Sequence, residues 1–184
     1  MGKADRIAVI LAGGEGRRMG GVDKGEIIFD EMRLIDHVIA RLMPQSDRII
    51  VSGRNNYGTG FAFIPDREDG PKGPAAGLWS VFHYLTGATT EGFLTVPVDA
   101  PYAPVDLFAR LSSTGKSAVA SDGARDHPTC AYWRVGDLQR VFEDISAGAA
   151  PSLHSIAEKA RGERVIFPDA RAFRNINRPE DLTP

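Results

Sequence analysis

Cysteine is almost missing from this chain of 184 residues: Cys130 stands alone, so no internal disulfide can form. That suits a reducing compartment, and a cytoplasmic location is expected. Cys130 sits between Thr129 and Ala131-Tyr132-Trp133, the setting of a packed strand thiol rather than of a nucleophile. Long apolar runs are missing too. None approaches the roughly 20 residues that cross a bilayer, so no membrane partner is expected. The first residues are too polar for a signal peptide. Arg6 at the sixth position spoils the myristoylation start that Met1-Gly2 would open. There is no basic excess: the formal net charge is −2, which argues against a nucleic-acid partner. Histidine and cysteine do not cluster in a zinc pattern, and no Ser/His/Asp arrangement suggests hydrolysis. His37, His83 and His154 fall on predicted helices and are given no chemistry.

What is present is 42% hydrophobic, enough for one domain over residues 1–184 with a substantial core. Strand and helix patterns alternate, without an internal repeat, a low-complexity tract or a separating linker. Strands are predicted at 7–11, 48–52, 61–64, 93–96, 117–121, 129–134 and 164–167. Helices are predicted at 34–42, 76–85, 105–111, 135–145 and 152–159, the first carrying Leu34, Ile35, Val38, Ile39 and Leu42 at amphipathic spacing. Such alternation implies an α/β fold: a mostly parallel sheet covered on both faces, Rossmann-like and three-layered, α/β/α. Ligands of such sheets bind beyond the carboxyl ends of the strands. Gly13 to Lys24, Ser52 to Asn56, Asp66 and Asp99 all fall there.

The segment Leu11-Ala12-Gly13-Gly14-Glu15-Gly16-Arg17-Arg18-Met19-Gly20-Gly21-Val22-Asp23-Lys24 is the most informative. It follows the apolar run Ile7–Leu11, and its glycines let backbone N–H groups approach oxygen atoms closely. Arg17, Arg18 and Lys24 supply charge for a polyphosphate. A solvated surface loop would not need cations at fixed spacing after a buried strand. Lys24 follows Asp23 and precedes Gly25, so the Gly-Lys-Ser/Thr of a Walker loop is not met. Met19 stands where the dinucleotide fingerprint needs its third glycine.

The segment instead resembles the nucleotidyltransferase signature Leu-Ala-Gly-Gly-x-Gly-x-Arg-Met-Gly with a following lysine, met in full from Leu11 to Lys24. The extension Met19-Gly20-Gly21-Val22-Asp23-Lys24-Gly25 resembles the molybdenum cofactor guanylyltransferase branch, the MobA type. Further segments are similar to that branch in the same order: Arg41–Gln45, Gly73-Pro74-Ala75-Ala76-Gly77, Val96–Tyr102, Asp126-His127-Pro128-Thr129 and Phe173–Leu182. The resemblance implies a fold of the nucleotide-diphospho-sugar transferase type. It implies transfer of GMP from GTP to molybdopterin with release of pyrophosphate, forming molybdopterin guanine dinucleotide. GTP, molybdopterin, cofactor-biosynthesis proteins and apo-molybdoenzymes are the implied partners, and Mg²⁺ the implied cofactor.

The resemblance also implies roles for particular residues. Arg18, Lys24 and Asp99 would be catalytic, with Asp99 holding the metal. Leu11, Ala12, Gly13, Gly14, Gly16, Lys24, Ser52, Asp66 and Asp99 would bind the nucleotide. Asp126, His127, Asn175 and Asn177 would face molybdopterin. The residues themselves allow plainer readings. Asp99, between Pro97 and Pro101, suits a rigidly placed ligand or a turn-forming helix cap. Asp66 suits a base or ribose partner, or a solvated loop acid beside Glu68 and Asp69. A lone histidine such as His127 is more often packed than catalytic. Asn175 and Asn177 point one way from an extended segment, or make turns before Pro179. Three departures from the resembled pattern stand out. Ser52 replaces an asparagine, Ala75 replaces leucine, and Asp30-Glu31-Met32-Arg33-Leu34 replaces a Gly-Lys-Pro-Leu turn. Transfer of another nucleotide or to another acceptor, such as a sugar phosphate, remains open, as does a noncatalytic nucleotide-binding module.

Overall fold

The computed structural model describes residues 5–13, 23–88 and 90–182. Gly14, Gly16, Arg17 and Arg18 lie outside the described residues. Nine strands and five helices are described: β1 (Ile7–Ala12), β2 (Ile28–Phe29), β3 (Met32–Arg33), α1 (Leu34–Leu42), β4 (Arg48–Gly53), β5 (Ala62–Pro65), α2 (Pro74–Leu85), β6 (Gly92–Pro97), α3 (Leu107–Ser112), β7 (Ala118–Ser121), β8 (Asp126–Arg134), α4 (Val135–Glu143), α5 (Leu153–Lys159) and β9 (Glu163–Ile166).

The main sheet has seven strands in the order β5-β4-β1-β6-β8-β7-β9. β1 pairs in parallel with β4 on one side and β6 on the other, and β4 with β5. β8 runs antiparallel to both β6 and β7, whereas β7 and β9 are parallel. Continuous apolar sequences make the central strands because both faces are covered. On one face Ala8, Ile10 and Ala12 pack with Ile35, Val38 and Leu42 of α1 and Leu107, Phe108 and Leu111 of α3. On the other, Ile7 and Val9 pack with Leu78, Val81 and Phe82 of α2, Leu138 and Phe142 of α4, and Leu153 and Ile156 of α5. This is the mostly parallel, three-layer arrangement expected from the alternation.

Several boundaries differ for local reasons. α2 begins at Pro74, not at residue 76, because proline suits the first turn, where its missing N–H costs nothing. α3 begins at Leu107, two residues later than expected, since Pro104 to Asp106 form a turn in which Leu107 N–H donates to the Pro104 carbonyl (3.3 Å). β8 extends back to Asp126, past Pro128. The register jumps from Val119↔Ala131 to Ala120↔His127, so Pro128 lies in an unpaired stretch where its lack of N–H breaks no ladder bond. The hairpin β2–β3 was not expected from the pattern. Its turn residues Asp30 (φ 47°) and Glu31 (φ 67°) are both left-handed, the two-residue geometry that fits a hairpin's twist.

After β5 the chain turns back through α2 to place β6 against β1, so the strand order reverses between β1 and β6. Their carboxyl ends therefore open a crevice at the switch point. Gly53 closes β4 at φ 148°, and a Cβ there would lie 2.6 Å from the Ala12 carbonyl carbon. The two strand ends meet this closely only without a side chain.

Candidate active site

A cavity of about 1180 Å³ occupies that crevice. Leu11 and Gly13 line it from the end of β1, Ser52 and Arg54 from β4, Asp66 from β5, and Pro97 to Asp99 from β6. A second wall comes from the Arg67–Pro74 loop, with Gly77, Thr129 and Leu153. This loop is held by paired backbone bonds to a neighbouring loop: Lys72 N–H donates to Ala149 O (2.7 Å) and Gly148 N–H to Gly70 O (3.2 Å). The Gly/Pro spacing marked residues 70–74 as a loop, but only the fold assigns them a wall.

Lys24 enters from a 3₁₀ turn, Lys24–Glu26, capped by the Asp23 carboxylate. Its ammonium donates to Asp99 Oδ2 (2.6 Å) and to Asn177 Oδ1 (2.5 Å). Asp99 is only 7% exposed. Its second oxygen, Oδ1, is buried with no hydrogen-bond partner among the described residues. A carboxylate held this way beside one lysine is not a turn-forming cap: it retains a free, desolvated acceptor at the cavity. Val98 N–H donates to Leu11 O (3.0 Å), which fixes the Asp99 loop to the end of β1.

Asp66 approaches the Gly13 backbone, where a Cβ on Gly13 would stand 3.3 Å from Oδ2. Its Oδ1 is also buried without a partner among the described residues. Burial pushes the Asp66 carboxyl above its usual range, opposed by the Arg54 guanidinium. Ser52 is buried, and its hydroxyl donates weakly to Gly77 O (3.4 Å). A Cβ on Gly77 would meet Leu11, Ser52 and Asp66 within 3.3 to 3.7 Å. The bare glycine therefore keeps open a narrow slot where the Leu11 methyl and two polar atoms, Ser52 Oγ and Asp66 Oδ1, converge. Ala12 is buried in the core on the α1 and α3 face and is not among the cavity-lining residues.

The structure divides the residues expected on the molybdopterin side. Asn177 lines the cavity and bonds Lys24, so it stands with that lysine. It is brought there by Ile176, which is fully buried with Ile27, Phe29 and Leu34 and donates its N–H to Asp99 O (2.9 Å). Asp181 accepts from the N–H groups of Asn177 and Arg178, both at 2.9 Å, and secures the same segment. Asn175, Asp126 and His127 are not among the lining residues. His127 stacks on Phe173 (centroids 4.5 Å apart) and its Nε2 pairs with Asp122 Oδ2 at 3.0 Å. Backbone N–H groups of the turn and His127 hold the Asp122 carboxyl down to about 2. Asp126 Oδ2 accepts from Arg164 (2.7 Å), while its Oδ1 is buried without a partner among the described residues. Both sit at the carboxyl end of β7, the same edge of the sheet as the cavity.

Among the described residues no group of three His, Cys, Asp or Glu side chains could hold a metal alone. Nor is any helix long and apolar enough to cross a membrane. The arrangement is the Lys24 ammonium, two carboxylates each with a buried oxygen unpartnered among the described residues, and a glycine-bounded slot, with Arg54, Arg67 and Lys72 also on the lining. It suits a polyanionic ligand whose own oxygens complete the coordination.

Comparison with known proteins agrees with this geometry. The family described as the MobA-like NTP transferase domain matches residues 8–167. A molybdenum cofactor guanylyltransferase of Cereibacter sphaeroides is 37% identical over 182 residues, covering 96% of this chain and 93% of that protein. One of Acidiphilium cryptum is 36% identical over 180 residues, covering 95% of this chain and 91% of that protein. Among solved structures, molybdopterin-guanine dinucleotide biosynthesis protein A from Archaeoglobus fulgidus shares the fold. Its TM-score is 0.70 at 20% identity, with 96% of this chain and 94% of that chain covered. A 4-diphosphocytidyl-2C-methyl-D-erythritol synthase does so at TM-score 0.71 and 16% identity, with 97% and 96% covered. The chain thus belongs to the MobA-like NTP transferase family and, within it, is a nucleotidyltransferase of the molybdenum cofactor guanylyltransferase group.

Proposed function

We propose that the crevice transfers the GMP part of GTP to molybdopterin, releasing pyrophosphate and forming molybdopterin guanine dinucleotide. The observation that carries this reading is the Lys24 ammonium held between Asp99 and Asn177 at the strand-order switch, 2.6 and 2.5 Å from their oxygens. The terminal phosphate oxygen of molybdopterin attacks the α-phosphorus of GTP in line. The bond from that phosphorus to the oxygen bridging the β-phosphate breaks, and the electron pair leaves with pyrophosphate. No covalent enzyme intermediate is required, so positioning and charge neutralisation carry the rate.

Lys24, with Arg18 from the preceding segment, neutralises charge that grows on the α-phosphate and the leaving group. Gly13, Gly14 and Gly16 cradle the triphosphate through backbone N–H groups. Leu11, Ser52 and Asp66 form the nucleoside seat around Gly77, and the buried Ala12 completes the strand end that carries Leu11 and Gly13. Asp99 fits a divalent cation, since its buried Oδ1 lacks a partner among the described residues and a hard cation favours an anionic oxygen. Bound there, Mg²⁺ would neutralise phosphate charge and help align the reacting groups. Asp126, His127 and Asn175 form the outer, acceptor-side edge, and Asn177 joins it to Lys24. The whole chain acts as one domain in the cytoplasm, with cofactor-biosynthesis proteins and apo-molybdoenzymes downstream.

Incubating the purified protein with molybdopterin, Mg²⁺ and each nucleoside triphosphate in turn tests the reading. Pyrophosphate release and the dinucleotide product are expected with GTP. Release that needs CTP, or a sugar phosphate in place of molybdopterin, would overturn it.

A further inference from the structure

Lys24 can reach its partners only if the short turn carrying it is fixed, and the residue that fixes it comes from a different loop. Asp23 Oδ1 caps the turn by accepting from Gly25 N–H at 3.0 Å. The same oxygen accepts from the Tyr57 hydroxyl at 2.6 Å. Tyr57 lies just after β4 and is 4% exposed. Its ring presses on the turn itself: a Cβ built on Gly25 would fall 2.3 Å from Tyr57 Cε1 and 2.6 Å from Cζ. Gly25 is thus the one residue type that lets the ring sit against the lysine turn.

Tyr57 is itself locked from three directions. Its backbone is left-handed at φ 55°, which is unfavourable for an aromatic residue and needs support. Asn55 Oδ1 accepts from its N–H, and Arg33 Nη1 donates to its carbonyl, each at 3.0 Å. Arg33 is in turn paired with Asp36 at 2.7 Å. Burial and the Asp23 carboxylate push the phenol well up, so it remains a donor. Strained backbone maintained by surrounding bonds is often spent on holding a functional group.

We propose that Tyr57 is a positioning residue for the reaction: its hydroxyl on Asp23 and its ring on Gly25 fix the turn that aims Lys24 at the phosphates. The proposal rests on Lys24 acting on the triphosphate. Tyr57→Phe keeps the ring and removes only the hydroxyl. It is expected to lower kcat about 10- to 100-fold, the scale of a displaced catalytic group. The KM for GTP should change much less, and the thermal midpoint by only a few degrees. The deciding measurement repeats the substitution in a Lys24→Ala background. There Tyr57→Phe should change turnover less than about twofold, because no lysine remains to be aimed. An equal loss in both backgrounds would make Tyr57 a merely structural residue, and an unchanged kcat in the single variant would also overturn the proposal. If Lys24→Ala itself keeps normal turnover, the reading of Lys24 is at fault instead.

Discussion

Lys24 gathers the clearest chemistry at the scale of single residues, because its ammonium joins the 3₁₀ turn that carries it to Asp99 and to Asn177. Lys24→Ala is expected to leave the fold intact and to lower turnover about 10² to 10³-fold, the effect of losing one preorganised charge-stabilising donor. A loss under threefold, with unchanged melting, would remove Lys24 from the mechanism. Asp99→Asn keeps the shape but not the charge, so Mg²⁺-dependent pyrophosphate release should vanish while weak nucleotide binding survives. Normal activity at ordinary Mg²⁺ would assign the metal to another carboxylate. Asp66 allows a pH prediction. Its carboxyl is raised by burial, so the folded state binds this proton more tightly than the unfolded chain does. Its contribution to stability is therefore present at acid pH and is lost as pH rises through the raised value. Asp66→Asn should melt higher than the parent near neutral pH, with the gain fading towards about pH 4. A gain of equal size at every pH would mean that the charge is not its cause.

Among elements, the segment from Asn175 to Leu182 does more than end the chain. Ile176 anchors it in a small cluster with Ile27, Phe29 and Leu34, beside the hairpin and the lysine turn. Its backbone bond to Asp99 O and the Asn177 bond to Lys24 make it a clamp across the β1 and β6 ends. Ile176→Ala removes a fully buried side chain and should cost about 2–5 kcal/mol in a denaturant titration. Turnover measured well below the melting temperature should also fall, since Lys24 and Asp99 lose their common support. Activity that survives intact would separate the clamp from the site. His127 belongs to another element contact, its stack on Phe173 just upstream of this segment. In the proposed reaction that stack links the acceptor edge to the clamp.

For the whole molecule, a ligand that binds only the folded chain must raise its stability. At a concentration 100 times its Kd, GTP should add about 2.7 kcal/mol. For a domain near this size that corresponds to a melting shift of roughly 5–11 °C. CTP at equal concentration should shift it less, which a melting series with both nucleotides would measure. Equal shifts would mean that the slot around Gly77 does not choose the base. This matters because a cytidylyl-type synthase shares the fold at TM-score 0.71, so the architecture itself does not discriminate between nucleotides.

Most of the architecture is legible along the chain because β1 is a continuous apolar run and the helices carry apolar stripes. The run Ile7–Leu11 and the stripe of α1 are local patterns that water alone enforces. The glycines and cations after β1 carry the expectation of a phosphate site, and most of them lie outside the described residues. What the pattern could not reveal depends on residues distant in sequence. Asn177 lies 153 positions from Lys24, yet it shares the ammonium with Asp99. The Tyr57 hydroxyl reaches Asp23 across 34 positions, with nothing in its own neighbourhood to distinguish it from any core aromatic. The sequence marks residues 30–34 as a variant turn, but with neither glycine nor asparagine at Asp30 and Glu31 it does not show the left-handed hairpin geometry. Which segments become strands and helices follows from nearest-neighbour chemistry and is readable along the chain without any fold. The side chains around Lys24 are set by strand order and loop closure, and neither is written in any local run of residues.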